Sequence, residues 1–106
     1  MTEASEFDGF EWDSAKSEST YLDRGLDFEA AARVFEADYV EREDPRRNYG
    51  ESRFIAIGSV DDILVTVVWT PRGSRRRIIS AWPSSGRERR EFRDYRAALE
   101  RADPNG

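Results

Sequence analysis

An α+β fold is the class that three features of this chain predict. Two helix signatures with their caps come early, three β-branched runs joined by tight turns follow, and a charged helix closes the sequence. A short apolar stretch, Gly9 to Asp13, reads as a strand that ends where Asp13 caps a helix over residues 14–24, with Gly25 as its stop. Asp27 caps a second helix, in which Phe28, Ala31, Ala32 and Phe35 recur at the spacing of one helical face. Tyr39 to Glu43 fits a short edge strand before a charged loop containing Pro45. "RFIAIG", "ILVTVVWT" and "RRRIISAW" are strands of an antiparallel meander, joined through "SVDD" and "PRGS". The middle run is apolar at almost every position, as suits a central strand covered on both faces, so Trp69 at its end is expected in the core. From Gly86 onward the chain is helical, with Phe92, Tyr95 and Leu99 on one stripe and Tyr95 expected to pack inward. A sheet of about four strands results.

The 106 residues suffice for one domain with a single modest core, spanning 1–106 with loose ends at 1–8 and 103–106. Neither cysteine nor histidine is present, which removes disulfides, thiolate or imidazole metal sites and the commonest general base. No metal site and no cofactor is expected. The first residues are acidic and polar rather than a secretory leader, no run has membrane-spanning length, and a cytoplasmic protein is expected.

Charge is divided along the chain. Residues 1–51 hold 15 acidic against 6 basic residues, a balance of −9, whereas residues 52–106 hold 7 against 11, a balance of +4. Of the 17 basic residues only Lys16 is lysine, and arginine offers the planar, bidentate geometry that phosphates accept. Strict alternation in the last strand places Arg75, Arg77, Ile79 and Ala81 on one face and Arg76, Ile78, Ser80 and Trp82 on the other. The arginines of the final helix alternate with Glu88, Glu91, Asp94 and Glu100, the pattern of a solvated face, and no helix-turn-helix signature suggests direct DNA binding.

Five collinear words, "FEWDSAKS", "DRGLDFEAAARVFE", "EDPRRNYGESRFIAIG", "VVWTPRGSRRRIISAW" and "RERREF", resemble the BrnT family, ribonuclease toxins of bacterial type II toxin-antitoxin pairs. The resemblance implies a RelE-like fold, growth inhibition through RNA cleavage, and a cognate antitoxin of ribbon-helix-helix type, BrnA-like, that makes any DNA contact itself. The chain departs from the family pattern at four places. Asp23-Arg24-Gly25 replaces Lys-His-Gly, Arg47-Asn48 replaces His-Asp, Trp82 replaces the arginine of Ser-Ala-Arg, and Phe92 replaces a tyrosine.

Metal-independent RNA cleavage needs groups that position a phosphodiester, stabilise added negative charge and move two protons. Arg53 and Arg77 are candidates for the scissile phosphate, and Arg72 and Arg75 for flanking ones; strand-end arginines also occur simply as solvated edge charges. Glu51 is the candidate for proton transfer, with Tyr49 beside it, although a solvated loop carboxylate is the plainer reading. Ser80 and Trp82 complete the RNA-contacting set. For Trp82 a structural filler comes first, the antitoxin surface second and a base platform third. Two other readings stand beside an active toxin: a catalytically degenerate homologue that keeps only the antitoxin surface, and a monomeric housekeeping domain unrelated to toxins.

Overall fold

A computed structural model describes residues 7–45 and 50–102, and of Ala102 the backbone alone. The elements run β1 (Phe10–Glu11), α1 (Ser14–Arg24), α2 (Phe28–Ala32), a single 3-10 turn (Arg33–Glu36), β2 (Tyr39–Glu43), β3 (Phe54–Val60), β4 (Ile63–Arg72), β5 (Arg75–Pro83) and α3 (Gly86–Ala102). This is the expected α+β order with five strands rather than about four, in one mixed sheet ordered β1-β5-β4-β3-β2. The antiparallel meander β3-β4-β5 is extended on one edge by antiparallel β2 and on the other by β1, which runs parallel to β5 with Phe10 opposite Arg76 and Glu11 opposite Arg77.

Local chemistry fixes the helix ends. Asp13 accepts from the Lys16 amide at 3.1 Å, Gly25 closes α1 at φ 72°, and Asp27 accepts from the Ala30 amide at 2.8 Å. The Ser17 hydroxyl, buried, accepts from the Phe28 amide at 2.9 Å and so ties α1 to α2. Both helices and the 3-10 turn pack on one face of the sheet, where Phe28, Ala31 and Val34 meet Ala56, Val65, Val67, Trp69, Ile78 and Ala81. Gly58 lets the 3-10 turn approach closely, since a Cβ there would stand 3.0 Å from a Val34 methyl and 3.1 Å from the Tyr39 Cβ. The connection between β3 and β4 is Asp61-Asp62, both at positive φ (51° and 70°), a two-residue turn that more often takes Asn-Gly. Arg33 grips Asp61 with two hydrogen bonds of 3.1 Å.

The central strand is buried from Val65 to Thr70, as its apolar run predicts. The final helix departs from expectation: only Phe92 of its stripe is buried, against Val40 and Ile57 on the second face of the sheet, while Tyr95 and Leu99 are about half exposed (48% and 51%). The helix packs mainly against β2 and β3, with Glu88 of its first turn bonded to Thr66 and Trp82. One end of the second face, toward β1 and the β4–β5 turn, stays open.

A candidate phosphodiester cleft

The three arginines that open β5 go three different ways. A bulge falls between Val68–Ser80 and Trp69–Ile78 pairing, leaving Ile79 extra. The alternation expected from the sequence is therefore broken. Arg76 and Ile78 face the helices together with Ala81, whereas Arg77, Ser80 and Trp82 share the other face. The physical reason is the one-residue slip itself, which reverses the facing of every residue beyond it.

Arg76 is structural. Its guanidinium lies 4.2 Å from the Phe35 ring centre and 5.0 Å from those of Phe7 and Trp69, and it donates to the Tyr39 hydroxyl at 3.2 Å. The Trp69 indole donates to Glu41 at 2.8 Å. Burial of that carboxyl end raises the Glu41 pKa from 4.5, although the indole and Arg76 pull the other way.

Arg77 turns to the open face and donates to Glu11 at 3.0 Å. Arg72 lies 3.9 Å from the same Glu11 oxygen and 3.8 Å from Glu51, and Glu51 accepts from Arg53 at 3.3 Å. The result is a line of alternating charge, Arg77, Glu11, Arg72, Glu51, Arg53, drawn from four separate parts of the chain. Thr70 sets its far end: the buried hydroxyl donates to the Ser52 carbonyl at 2.6 Å, holding the residues on either side of Ser52 against β4. The arginines and Glu51 line a cleft of about 290 Å³ that also involves Asp13, Lys16 and Ile79.

All three arginine side chains keep water access, 24% for Arg53, 52% for Arg72 and 32% for Arg77. Ion pairs this exposed contribute at most about 1 kcal/mol each. A phosphodiester, which carries the same single negative charge with more acceptor oxygens around it, can therefore exchange for a carboxylate at small cost.

Of the residues singled out from sequence, Arg53, Arg72, Arg77 and Glu51 come together here. Arg75 is exposed at the start of β5, opposite Arg72 and beside Gly9, outside the cleft lining. Ser80 lies on the same face as Arg77, beyond the bulge. Tyr49, Arg47 and Asn48 lie outside the described residues. Trp82 donates its indole N–H to Glu88 at 3.1 Å, which fixes it against the start of α3. Glu88 also accepts from Thr66 at 3.1 Å and from the Ser85 amide at 2.8 Å, while Ser85 accepts from the Glu88 amide at 3.2 Å. Ser85-Gly86-Arg87-Glu88 is thus a capping box, and its spacing is visible in the sequence. Burial pushes the Glu88 carboxyl up, yet the hydrogen bonds from Ser85, Trp82 and Thr66 outweigh it and hold the group below 4.5.

Sequence reading passes over Asp13 and Lys16 in the cleft lining, and Glu11, which pairs with two of the cleft arginines. The signal for Glu11 is local: Phe10 and Trp12 pack toward the core, so Glu11 between them must face the other way. Its partner Arg77 is set only by the parallel β1–β5 pairing. Charge that is divided along the sequence is interleaved here, because Glu11, Asp13 and Glu51 come from the acidic half and meet arginines of the basic one.

Fold and cleft together define a small α+β protein with guanidinium groups and carboxylates alternating along one end of its sheet. The chain belongs to the BrnT family: the model described as ribonuclease toxin, BrnT, of type II toxin-antitoxin system matches residues 12–88. Membership makes a cognate antitoxin the partner of this class of protein. No curated protein matches. Three of the four departures from the family pattern fall on described residues, and each has a packing role. Arg24 donates to the Ala81 carbonyl at 3.0 Å, Trp82 binds Glu88, and Phe92 fills the small second core. Among the described residues no helix is long and apolar enough to cross a membrane, and no group of three or more carboxylates is arranged to hold a metal ion.

Proposed function

We propose that the chain cleaves RNA without a metal ion, by attack of a 2′-hydroxyl on the neighbouring phosphate, and that the alternating cleft is the site. The observation that carries this reading is the line Arg77, Glu11, Arg72, Glu51, Arg53 on the open face of the sheet. Arg77 and Arg53 take the scissile phosphate and stabilise the charge that builds on its oxygens. Arg72 and the exposed Arg75 hold flanking phosphates, and Ser80 contacts the strand beyond the bulge. Glu51, released when the phosphate takes its arginines, accepts the 2′-hydroxyl proton. Because Glu11 and Glu51 are each engaged by guanidinium groups, cations already present in the protein do the electrostatic work that a metal ion does elsewhere.

The reading extends to a cytoplasmic toxin neutralised by a ribbon-helix-helix antitoxin, with DNA contacted through that partner. A direct test is incubation of the purified chain with RNA in a chelator, followed by mass spectrometry for 2′,3′-cyclic phosphate ends. Cyclic ends that disappear with Arg77→Ala support the assignment; intact RNA with a verified fold refutes it.

One observation favours a second reading. Trp82, at the place of a family arginine, is fixed to Glu88 and brings no charge to the open face. A degenerate toxin that binds its antitoxin without cutting RNA accounts for this. Complex formation together with intact RNA distinguishes it.

A further inference from the structure

We propose that Lys16 is a catalytic residue that protonates the departing 5′-oxygen, an inference that rests on the cleft being an RNA-cleaving site. Two independent observations single it out. The chain uses arginine at every other basic position, yet its one lysine lines the cleft. Arg53, Arg72 and Arg77 are each engaged by a carboxylate, whereas among the described residues the Lys16 ammonium has no ion pair or hydrogen bond.

The backbone beneath this lysine is fixed, although its ammonium has no partner among the described residues. Asp13 caps α1 on the Lys16 amide, and Arg24 pins the other end of the helix to β5. Lys16 is thus held in the cleft lining by its backbone.

Chemistry supplies the reason for a lysine. The 5′-alkoxide is a poor leaving group, so a proton must reach it as the bond breaks. Guanidinium groups keep their protons, and carboxylates held by arginines are acceptors. An ammonium carries three N–H protons and can give one to an alkoxide, a far stronger base than the amine left behind. In the step, the 2′-hydroxyl proton passes to Glu51 and its oxygen bonds to phosphorus. The bond from phosphorus to the 5′-oxygen breaks, its electron pair stays on that oxygen, and a proton from Lys16 completes the 5′-hydroxyl. The products are a 2′,3′-cyclic phosphate and a 5′-hydroxyl, with Lys16 left as an amine and Glu51 as an acid. Exchange with water restores both.

The test compares wild type, Lys16→Arg, Lys16→Met and Arg77→Ala on two oligonucleotides. One is ordinary RNA; the other carries sulfur in place of the bridging 5′-oxygen at a single position, and its thiolate departs without a proton. Both Lys16 variants are expected to cut ordinary RNA on the order of 10²–10⁴-fold more slowly. They should cut the sulfur substrate close to the wild-type rate, whereas Arg77→Ala stays slow on both. A Lys16→Arg protein that cuts ordinary RNA as fast as wild type overturns the proposal, since charge alone then suffices. Equal slowing on both substrates also overturns it, because a proton donor is not needed for sulfur. A wild-type chain that leaves ordinary RNA intact removes the cleavage reading, and the role of Lys16 with it.

Discussion

Glu88→Ala is expected to destabilise the fold by about 2–3 kcal/mol, a figure built from the contacts the carboxylate makes. It accepts from the Ser85 amide, the Trp82 indole and the Thr66 hydroxyl. The loss of a helix cap costs about 1 kcal/mol, and each charge-assisted bond adds about 1.5–3 before solvent is counted. Thr66 keeps its bond to Ser84 at 2.8 Å, and the carboxylate is partly solvated, so the sum lies at the low end. In a domain of this size the change lowers the melting temperature by roughly 10–20 °C, measurable by thermal circular dichroism and urea titration. Glu88→Gln, which keeps an acceptor without its charge, should fall between the two. The depressed pKa sets the pH dependence. Stability from the ionised carboxylate is present above 4.5, the ordinary value, and is lost as pH falls through the lower folded value. Wild type and Glu88→Gln should therefore differ at neutrality and converge in acid. A Glu88→Ala protein within about 0.5 kcal/mol of wild type, or a gap to Glu88→Gln that persists in acid, refutes the reasoning.

Three further substitutions test other parts of the packing. Gly58→Ala places a methyl group against Val34 and Tyr39 and should cost about 1–3 kcal/mol by urea unfolding. Asp62→Gly relieves a left-handed residue at φ 70° and should raise stability by roughly 0.5–1 kcal/mol in the same assay. Arg76→Ala empties the cage of Phe7, Phe35 and Trp69 and should cost about 2–3 kcal/mol, seen as a lower urea midpoint.

The parts of the fold that depend on neighbours in sequence were legible. Asp13, Gly25 and Asp27 end their helices where capping chemistry places them, and the apolar run of β4 is buried as its pattern requires. What could not be read depends on distant pairing. Nothing near Glu11 announces that β1 will lie parallel to β5 beside Arg77. Nothing in "RRRIISAW" marks the bulge at Ile79, yet that one residue decides that Ser80 and Trp82 join Arg77 rather than Arg76. The stripe Phe92, Tyr95, Leu99 is correctly helical, but periodicity does not give the length of sheet beneath it; Phe92 alone of the three is buried, against Val40 and Ile57, and the other two side chains remain about half exposed. Four of the candidate site residues, Arg53, Arg72, Arg77 and Glu51, converge because strand ends and turns gather at one end of the sheet. The capping box at Ser85 to Glu88 was readable in principle from its spacing.

If geometry in the cleft cuts RNA, rather than the positive charge of β5 as a whole, two neighbouring arginines must differ in effect. Arg75 and Arg77 lie two residues apart on one strand, and alanine removes the same charge at each. The deciding measurement is kcat/KM of both variants on a single-site RNA in chelator. The expected result is a loss of at least about 100-fold for Arg77→Ala, and for Arg75→Ala a loss of under roughly tenfold that shrinks as salt is added. Equal losses at the two positions, or an Arg77→Ala protein as active as wild type, would contradict it.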